Sequence, residues 1–80
     1  MPHTEKFPEF VEKISDLFDE TPASALAPET RFKELSDWSS IVALSLIAVV
    51  ADEYGVVLDG KTILASATLG ELLEQIISRV

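Results

Sequence analysis

Few side chains in this 80-residue sequence could do chemistry by themselves. There is no cysteine and only one histidine, His3. Cysteine nucleophiles, thiolate zinc sites and disulfides are therefore excluded, and little is left for metal binding or acid–base catalysis. The hydroxyls of Ser39 and Ser40 remain, at the start of a long apolar segment. Because a serine at a helix N-terminus ordinarily caps the helix, this pair alone predicts a cap rather than catalysis.

The charge of the chain narrows the class of partner. There are 14 Asp and Glu residues against 6 Lys and Arg, a formal charge of −8, and 48% of the residues are hydrophobic. This composition is too apolar for a disordered tail, and the length supports one modest core, so we predict a single domain over residues 1–80. A negative surface repels nucleic acid and anionic lipid and attracts basic protein patches. We therefore expect protein partners and no nucleic acid.

The apolar segments do not suit a membrane or a secretory leader. Residues 1–6 lack a basic region followed by an apolar core, so we expect no secretory signal and a cytoplasmic location. The most apolar run, residues 41–51, is interrupted by Ser45 and is shorter than the ~20 residues of a membrane-spanning helix. We expect it to be buried in protein.

The N-terminal segment has the periodicity of an amphipathic helix. From Phe7 onward, apolar residues recur at spacings of three, four, seven, ten and eleven. We predict a helix over about residues 5–18, with Thr4 as its cap and Pro8 in its first turn. Residues 19–38 then predict a long ordered loop. The side chains expected to hold this loop against the core are Leu26, Phe32 and Leu35.

The segment after the loop predicts a second helix. It starts at Ser39 and Ser40, stops at Gly55, and is too long without a turn for most strands. At about 100° per residue, Ser45 marks the centre of the side predicted to meet water. The residues on that side are Ile41, Val42, Ala48, Val49 and Asp52. The opposite, buried side holds Ala43, Leu46, Ile47, Val50 and Tyr54. Unless other elements cover it, the apolar outer side predicts a docking surface.

Two shorter patterns complete the chain. Residues 60–66 predict a short helical turn. Thr68 and Glu71 form a capping box, in which the Thr68 hydroxyl accepts from the Glu71 N–H and the Glu71 carboxylate reaches back. A last helix follows, with one apolar face running to Val80. The fold class is all-α: a small four-helix bundle of three main helices and one short helix, with a long first loop.

The order of these elements and the residues at the start of the second helix form one pattern. The loop ends in Asp-Trp-Ser-Ser-Ile at residues 37–41, and the long apolar helix ends in Asp-Glu-Tyr-Gly. This resembles the acyl carrier protein family over nearly the whole chain, from Phe7 to Val80. Family members present Asp-Ser-Leu at the start of their second helix, where this chain has Ser-Ser-Ile. The fourteen residues from Ser40 to Tyr54 are similar to the family's distance from its modified serine to the aromatic of Glu-Glu-Phe.

The resemblance implies a function for Ser40. It would carry a 4′-phosphopantetheine arm from coenzyme A, whose thiol holds acyl groups as thioesters. A phosphodiester there would suit a helix N-terminus, where unpaired N–H groups and the positive dipole end stabilise negative charge. Trp38 either buries its ring against the loop or lines the approach used by the arm. The acyl chain is expected to fold partly between the helices, against Leu46, Ile47, Val50 and Ile63.

The resemblance also implies the partners. They are a phosphopantetheinyl transferase and the acyl-transferring and acyl-modifying synthase enzymes of fatty acid, polyketide or related lipid biosynthesis. The protein itself would be a non-catalytic monomer. This sequence departs from the family at two places: Ser39 replaces the usual acidic residue before the serine, and Ser45 and Ala51 replace carboxylates of the recognition helix. We therefore expect docking with weak salt dependence. The residues expected to dock are Ser39, Ile41, Val42, Ala48, Val49 and Asp52.

Three other interpretations remain open from the sequence. A peptidyl carrier shares the architecture, but its serine commonly follows Gly-Gly-His rather than Asp-Trp-Ser. An unmodified interaction module could use the same apolar helix face, and it would tolerate Ser40→Ala apart from a capping loss of ~1 kcal/mol. A small enzyme is disfavoured, because the chain has no nucleophile–base pair and no metal set.

Overall fold

The computed structural model describes residues 6–80, and this part of the chain forms four α-helices and no strand. The helices are α1 (Phe7–Ile14), α2 (Ser40–Tyr54), α3 (Gly60–Ala65) and α4 (Leu69–Ile77). The predicted all-α fold, with three main helices, one short helix and a long first loop, is confirmed. None of these helices is long and apolar enough to cross a membrane.

Helix α1 is present but shorter than predicted. It begins at Phe7 with Pro8 in its first turn and ends at Ile14. A 3₁₀ turn, Ser15–Leu17, continues it, closed by the bond from the Phe18 N–H to the Ser15 carbonyl at 3.1 Å. The chain tightens here because 3₁₀ turns commonly end α-helices. The predicted cap, Thr4, lies outside the described residues.

The long loop between α1 and α2 is ordered and packed. It contains two 3₁₀ turns, Ala23–Ala25 and Phe32–Glu34. Of the three predicted contacts with the core, Leu26 and Phe32 are buried and Leu35 is half-buried against it. The Asp37 carboxylate also closes the loop, because it accepts from the Glu20 N–H at 3.0 Å and the Thr21 hydroxyl at 2.8 Å. The chain therefore enters α2 from a defined position.

One apolar core joins the helices and the loop. Rings pack between α1 and α2, where Phe10 and Tyr54 meet edge to face with centroids 6.3 Å apart. The start of α4 is tied to the loop, since the Leu69 N–H donates to the Thr30 carbonyl at 3.0 Å. The largest fully buried side chains are Phe10, Ile14, Phe32, Leu46, Val50, Leu58, Ile63, Leu69, Leu72, Leu73 and Ile76.

The predicted end of α2 and start of α4 are confirmed, but α4 ends at Ile77, and Val80, predicted on its apolar face, is exposed. Gly55 ends α2 in the left-handed conformation, with φ of 67°, which glycine adopts without steric cost. The Thr68 hydroxyl accepts from the Glu71 N–H at 3.2 Å, as the capping box predicts. The returning bond differs by one residue, because the Glu71 carboxylate accepts from the Ala67 N–H at 3.1 Å.

Candidate functional site

The two serines at the start of α2 have different structural roles. Ser39 is the N-cap: its backbone is extended and its hydroxyl accepts from the Val42 N–H at 3.2 Å. Ser40 is the first residue of the helix and is exposed, and its hydroxyl makes no hydrogen bond within residues 6–80. The cap predicted for Ser40 is therefore supplied by Ser39. The two adjacent serines therefore differ in role, and the Ser40 hydroxyl is open to solvent.

An apolar groove runs from Ser40 between α2 and α3. Its volume is about 500 Å³, and it is open to solvent. Trp38 contributes one wall, with its ring edge-on to Phe32 at a centroid distance of 5.1 Å. Both alternatives for Trp38 thus describe part of its position, because it packs on the loop and also faces this groove. The lining residues are Trp38, Ser39, Ser40, Ala43, Leu44, Ile47, Gly60, Ile63 and Leu64.

Helix α3 forms the far wall of the groove and is fastened by polar contacts. The Asp59 carboxylate caps it, accepting from the Thr62 N–H at 2.8 Å. Hydrogen bonds from Thr62 lower the pKa of the Asp59 carboxyl below its usual value, with smaller contributions from Arg79 and Lys61. Arg79 donates to the Thr62 hydroxyl at 3.1 Å from the end of α4. On the other side, the Lys33 ammonium donates to the carbonyl of Leu64.

The outer face of α2 is rotated relative to the prediction. Ile41, Ala48 and Asp52 are exposed, as predicted. Val42 and Val49 were predicted to meet water, but both are half-buried and pack against the core. The exposed apolar row is Ile41, Leu44 and Ala48, whose centre lies roughly 70° from Ser45. Because α2 is apolar on every side, periodicity could not select its outer face.

Sequence reasoning missed two exposed leucines beside Ser40. Leu44 is 67% exposed and Leu64 is 70% exposed, and both line the groove. Leu44 could have been found from its spacing, since it lies three residues after Ile41 and four before Ala48. No comparable pattern marks Leu64, because α3 is too short to show a periodicity.

The side chains expected to contact an acyl chain lie in the core or at its edge. Leu46, Val50 and Ile63, which were expected to contact an acyl chain, are buried in the core. Ile47 is half-buried, and together with Ile63 it reaches the groove. The apolar space beside Ser40 is a groove that opens at the surface. Within residues 6–80, no group of three His, Cys, Asp or Glu side chains could hold a metal ion.

The comparison with protein families identifies the class of this chain. The family model described as phosphopantetheine attachment site matches residues 9–76, which include all of α2 and α3. The chain belongs to this family of phosphopantetheine-bearing carrier domains. Its cofactor is 4′-phosphopantetheine, covalently attached, and such a domain interacts with a transferase and with synthase enzymes. Neither curated proteins nor solved structures gave a significant match.

The residues at the start of α2 fit the cofactor. A phosphodiester needs an accessible hydroxyl, and Ser40 presents one that no neighbouring donor or acceptor in residues 6–80 engages. The N–H groups of the first turn of a 15-residue helix lie beside it, and these favour a negatively charged group. The groove next to Ser40 is mainly apolar and offers a surface to the arm.

Proposed function

We propose that this protein is an acyl carrier, with 4′-phosphopantetheine attached to Ser40. The family assignment supports a phosphopantetheine-bearing carrier. The observation that carries the choice of residue is the contrast between the serines: the Ser39 hydroxyl is engaged as the cap of α2, while the Ser40 hydroxyl is exposed. When attached, the arm supplies a terminal thiol that holds the cargo as a thioester, so a chain without cysteine can act as a thiol carrier.

The local electrostatics support a phosphodiester on Ser40. The first N–H groups of α2 have no carbonyl acceptor within the helix, and the helix dipole places partial positive charge at this end. Ser40 needs no general base of its own, because the transferase would activate the hydroxyl. We accordingly propose that the chain itself is non-catalytic, and that its partners perform the chemistry on the bound group.

An acyl cargo is favoured over a peptidyl cargo by the surroundings of Ser40. The groove beside it is lined largely by Trp38, Leu44, Ile47 and Leu64, which suit an aliphatic chain better than a polar peptide. The residues before Ser40 are Asp-Trp-Ser, which does not resemble the peptidyl carrier pattern. We propose fatty acid, polyketide or related lipid assembly as the setting. The monomeric state and the cytoplasmic location stay predictions from the sequence.

The test is intact-protein mass spectrometry after incubation with coenzyme A and a broad-specificity phosphopantetheinyl transferase. We expect the addition of one phosphopantetheine to the wild type and to Ser39→Ala, and none to Ser40→Ala. Loss of the addition only in Ser39→Ala would move the attachment to Ser39. No addition with several transferases, including that of the native host, would instead favour an unmodified interaction module.

A further inference from the structure

One lysine of this acidic chain bonds to a backbone carbonyl rather than to a carboxylate. Within residues 6–80, Lys13 and Arg31 form ion pairs with glutamates. The Lys33 ammonium is in no ion pair of that part of the chain, and it donates to the carbonyl of Leu64 instead. Its side chain is half-buried. Because the chain has 14 acidic residues against 6 basic ones, this choice of partner indicates a positional role for Lys33 rather than charge pairing.

The Leu64 carbonyl needs a donor from outside its own helix. Helix α3 ends one residue later, so no amide of the helix follows to donate to the carbonyls of its last turn. The N–H of Ser66 bonds to two earlier carbonyls, and Lys33 supplies the donor for Leu64 from 31 residues earlier in the chain. The helix dipole also favours a cation at this end. Among the side-chain hydrogen bonds of residues 6–80, this is the one that joins α3 to the long loop.

The same turn of the loop also supports the opposite wall of the groove. Lys33 follows Phe32 in the 3₁₀ turn Phe32–Glu34. The Phe32 ring is fully buried, and Trp38, which lines the groove, packs against it with centroids 5.1 Å apart. The Lys33 ammonium lies 6.0 Å from the centroid of the Phe32 ring, within the range of a cation–π contact. Two successive residues of one turn therefore hold the two walls of the groove, one through an aromatic contact and one through a hydrogen bond.

Packing alone would hold the Leu64 wall poorly. The Leu64 side chain is 70% exposed, so most of its surface contacts no other residue. The Asp59 cap and the Arg79 bond hold the first turn of α3 rather than its end. On its other side, α3 borders an open polar cleft of about 460 Å³ shared with α4, so there is space for its end to move away from the groove. The bond from Lys33 opposes that movement.

We propose that Lys33 is a positioning residue for the group carried on Ser40. Its bond to Leu64 sets the distance between the two walls of the groove. This inference rests on the proposed function, because it concerns the cargo held beside Ser40. An apolar cargo that contacts both walls removes more apolar surface from water than a cargo that contacts one wall. Lys33 therefore determines how much of the cargo the groove covers, without lining the groove itself.

The single tryptophan of the chain reports on the groove, because Trp38 lines it. The first measurement is the quenching of Trp38 fluorescence by acrylamide, on the unloaded chain under native conditions. Lys33→Met keeps a long apolar side chain but removes the donor, and Lys33→Arg keeps a donor. Arg31→Met is the matched control, since Arg31 is exposed, lies two residues away and pairs with Glu34.

Lys33→Met should raise the acrylamide quenching constant about twofold, because the freed end of α3 moves away and exposes Trp38. Lys33→Arg and Arg31→Met should match the wild type. Thr68→Ala controls for a loss of stability, since it removes the cap of α4 and Thr68 does not line the groove. This variant should also leave the quenching constant unchanged, and circular dichroism checks that every variant is folded.

The second measurement uses chains loaded from octanoyl coenzyme A by a phosphopantetheinyl transferase, with loading checked by intact mass. Cargo in the groove should shield Trp38, so the quenching constant of the loaded wild type should fall below that of the unloaded chain. The decrease should be smaller in Lys33→Met, because the separated walls cover less of the cargo. Lys33→Arg should restore the decrease.

Equal quenching in Lys33→Met and the wild type, in either measurement, would overturn the proposal, while loading at Ser40 would leave the proposed function intact. An increase in Thr68→Ala as large as that in Lys33→Met would also overturn it, because a loss of stability would then explain both. If the wild type is never loaded, the proposed function fails, and the role of Lys33 toward the cargo fails with it.

Discussion

At the scale of the residue, the backbone decides what each of two adjacent serines can do. Ser39 has extended dihedral angles, with φ of −159° and ψ of 173°, which direct its hydroxyl toward the N–H of Val42. Ser40 is already helical, and its hydroxyl is exposed and makes no hydrogen bond within residues 6–80. The cap of α2 therefore belongs to Ser39, and Ser40 is the residue that we propose is modified.

This division predicts opposite phenotypes for two alanine substitutions. Ser39→Ala should lower the free energy of unfolding by ~1 kcal/mol, because it removes the cap of α2, and should leave the protein able to accept phosphopantetheine. Ser40→Ala should leave stability within a few tenths of a kcal/mol and abolish modification, since alanine is a good helix former. Urea unfolding and intact-protein mass measure the two properties.

A cap-preserving variant is the control for this prediction. Ser39→Asp keeps an oxygen acceptor at the N-cap and adds negative charge near the helix N-terminus, so it should match or exceed the stability of the wild type. Equal destabilisation by Ser39→Ala and Ser40→Ala would contradict the assignment of the cap to Ser39 alone.

At the scale of the element, α3 depends on the contacts around it. A helix of six residues cannot be stable alone in water. The Asp59 cap at its start, the Arg79 bond to Thr62 and the Lys33 bond to the Leu64 carbonyl hold it in place. Because α3 supplies Ile63 and Leu64 to the groove, its stability controls the shape of the surface beside Ser40.

The Asp59 cap predicts acid sensitivity of α3. The pKa of the Asp59 carboxyl is lowered in the folded protein, chiefly by the hydrogen bonds from Thr62. A lowered folded pKa means that the stabilisation is present above the unfolded value, about 4 for Asp, and is lost as the pH falls through the folded pKa. Asp59→Asn should therefore melt below the wild type at pH 7, and the difference should shrink below about pH 4.

Comparing two variants, Asp59→Asn and Asp59→Ala, separates the effect of the charge from the effect of the cap. Asn also caps helices, so Asp59→Asn isolates the effect of the charge. Asp59→Ala removes the acceptor as well and should melt below both other chains at either pH. The comparison uses thermal melting monitored by circular dichroism. A difference in Tm between the wild type and Asp59→Asn that is the same at pH 7 and pH 3 would contradict the prediction.

At the scale of the whole molecule, an excess of carboxylates surrounds a well-packed apolar core. Within residues 6–80, ion pairs join Lys13 to Glu9 and Glu53, and Arg31 to Glu34. Most of the 14 acidic side chains are therefore outside these pairs. The mutual repulsion of these carboxylates opposes the folded state. Residues 38–51, which include Ser40, contain no charged side chain and do not add to this repulsion.

The excess charge predicts that salt stabilises the protein. Raising NaCl from low to near-molar concentration should increase Tm by about 5 °C, equivalent to about 1 kcal/mol for a domain of this size. MgCl₂ should act at lower concentration, because divalent ions screen more strongly. The same titration near the isoelectric point, about pH 4.3, is the control, and there the increase should be much smaller. An unchanged Tm at neutral pH would refute the repulsion argument.

The sequence by itself determined the elements and those ends that a cap or a glycine marks, because these depend on local chemistry. Apolar spacing indicated the faces of α1 and α4, Gly55 marked the end of α2, and Thr68 and Glu71 marked the start of α4. The resemblance to the acyl carrier family rested on the order and lengths of the same elements, and the family assignment is confirmed. Packing decided the orientation of α2. The sequence did place Leu46 and Val50 on the buried side, as observed, but contacts decided the outer side, where Val42 and Val49 pack against the core and Leu44 is exposed.

The features of the candidate site also fall into two groups, those that the sequence determined and those that only tertiary structure decided. The sequence placed two serines at a helix start, but their roles differ through backbone dihedral angles that identical side chains do not encode. The groove is decided wholly by tertiary structure, since it joins Trp38 from the loop and Leu44 from α2 to Leu64 from α3. Leu64 is far from the other two residues in the chain, and it meets them because a common core holds the loop and the short helix against α2.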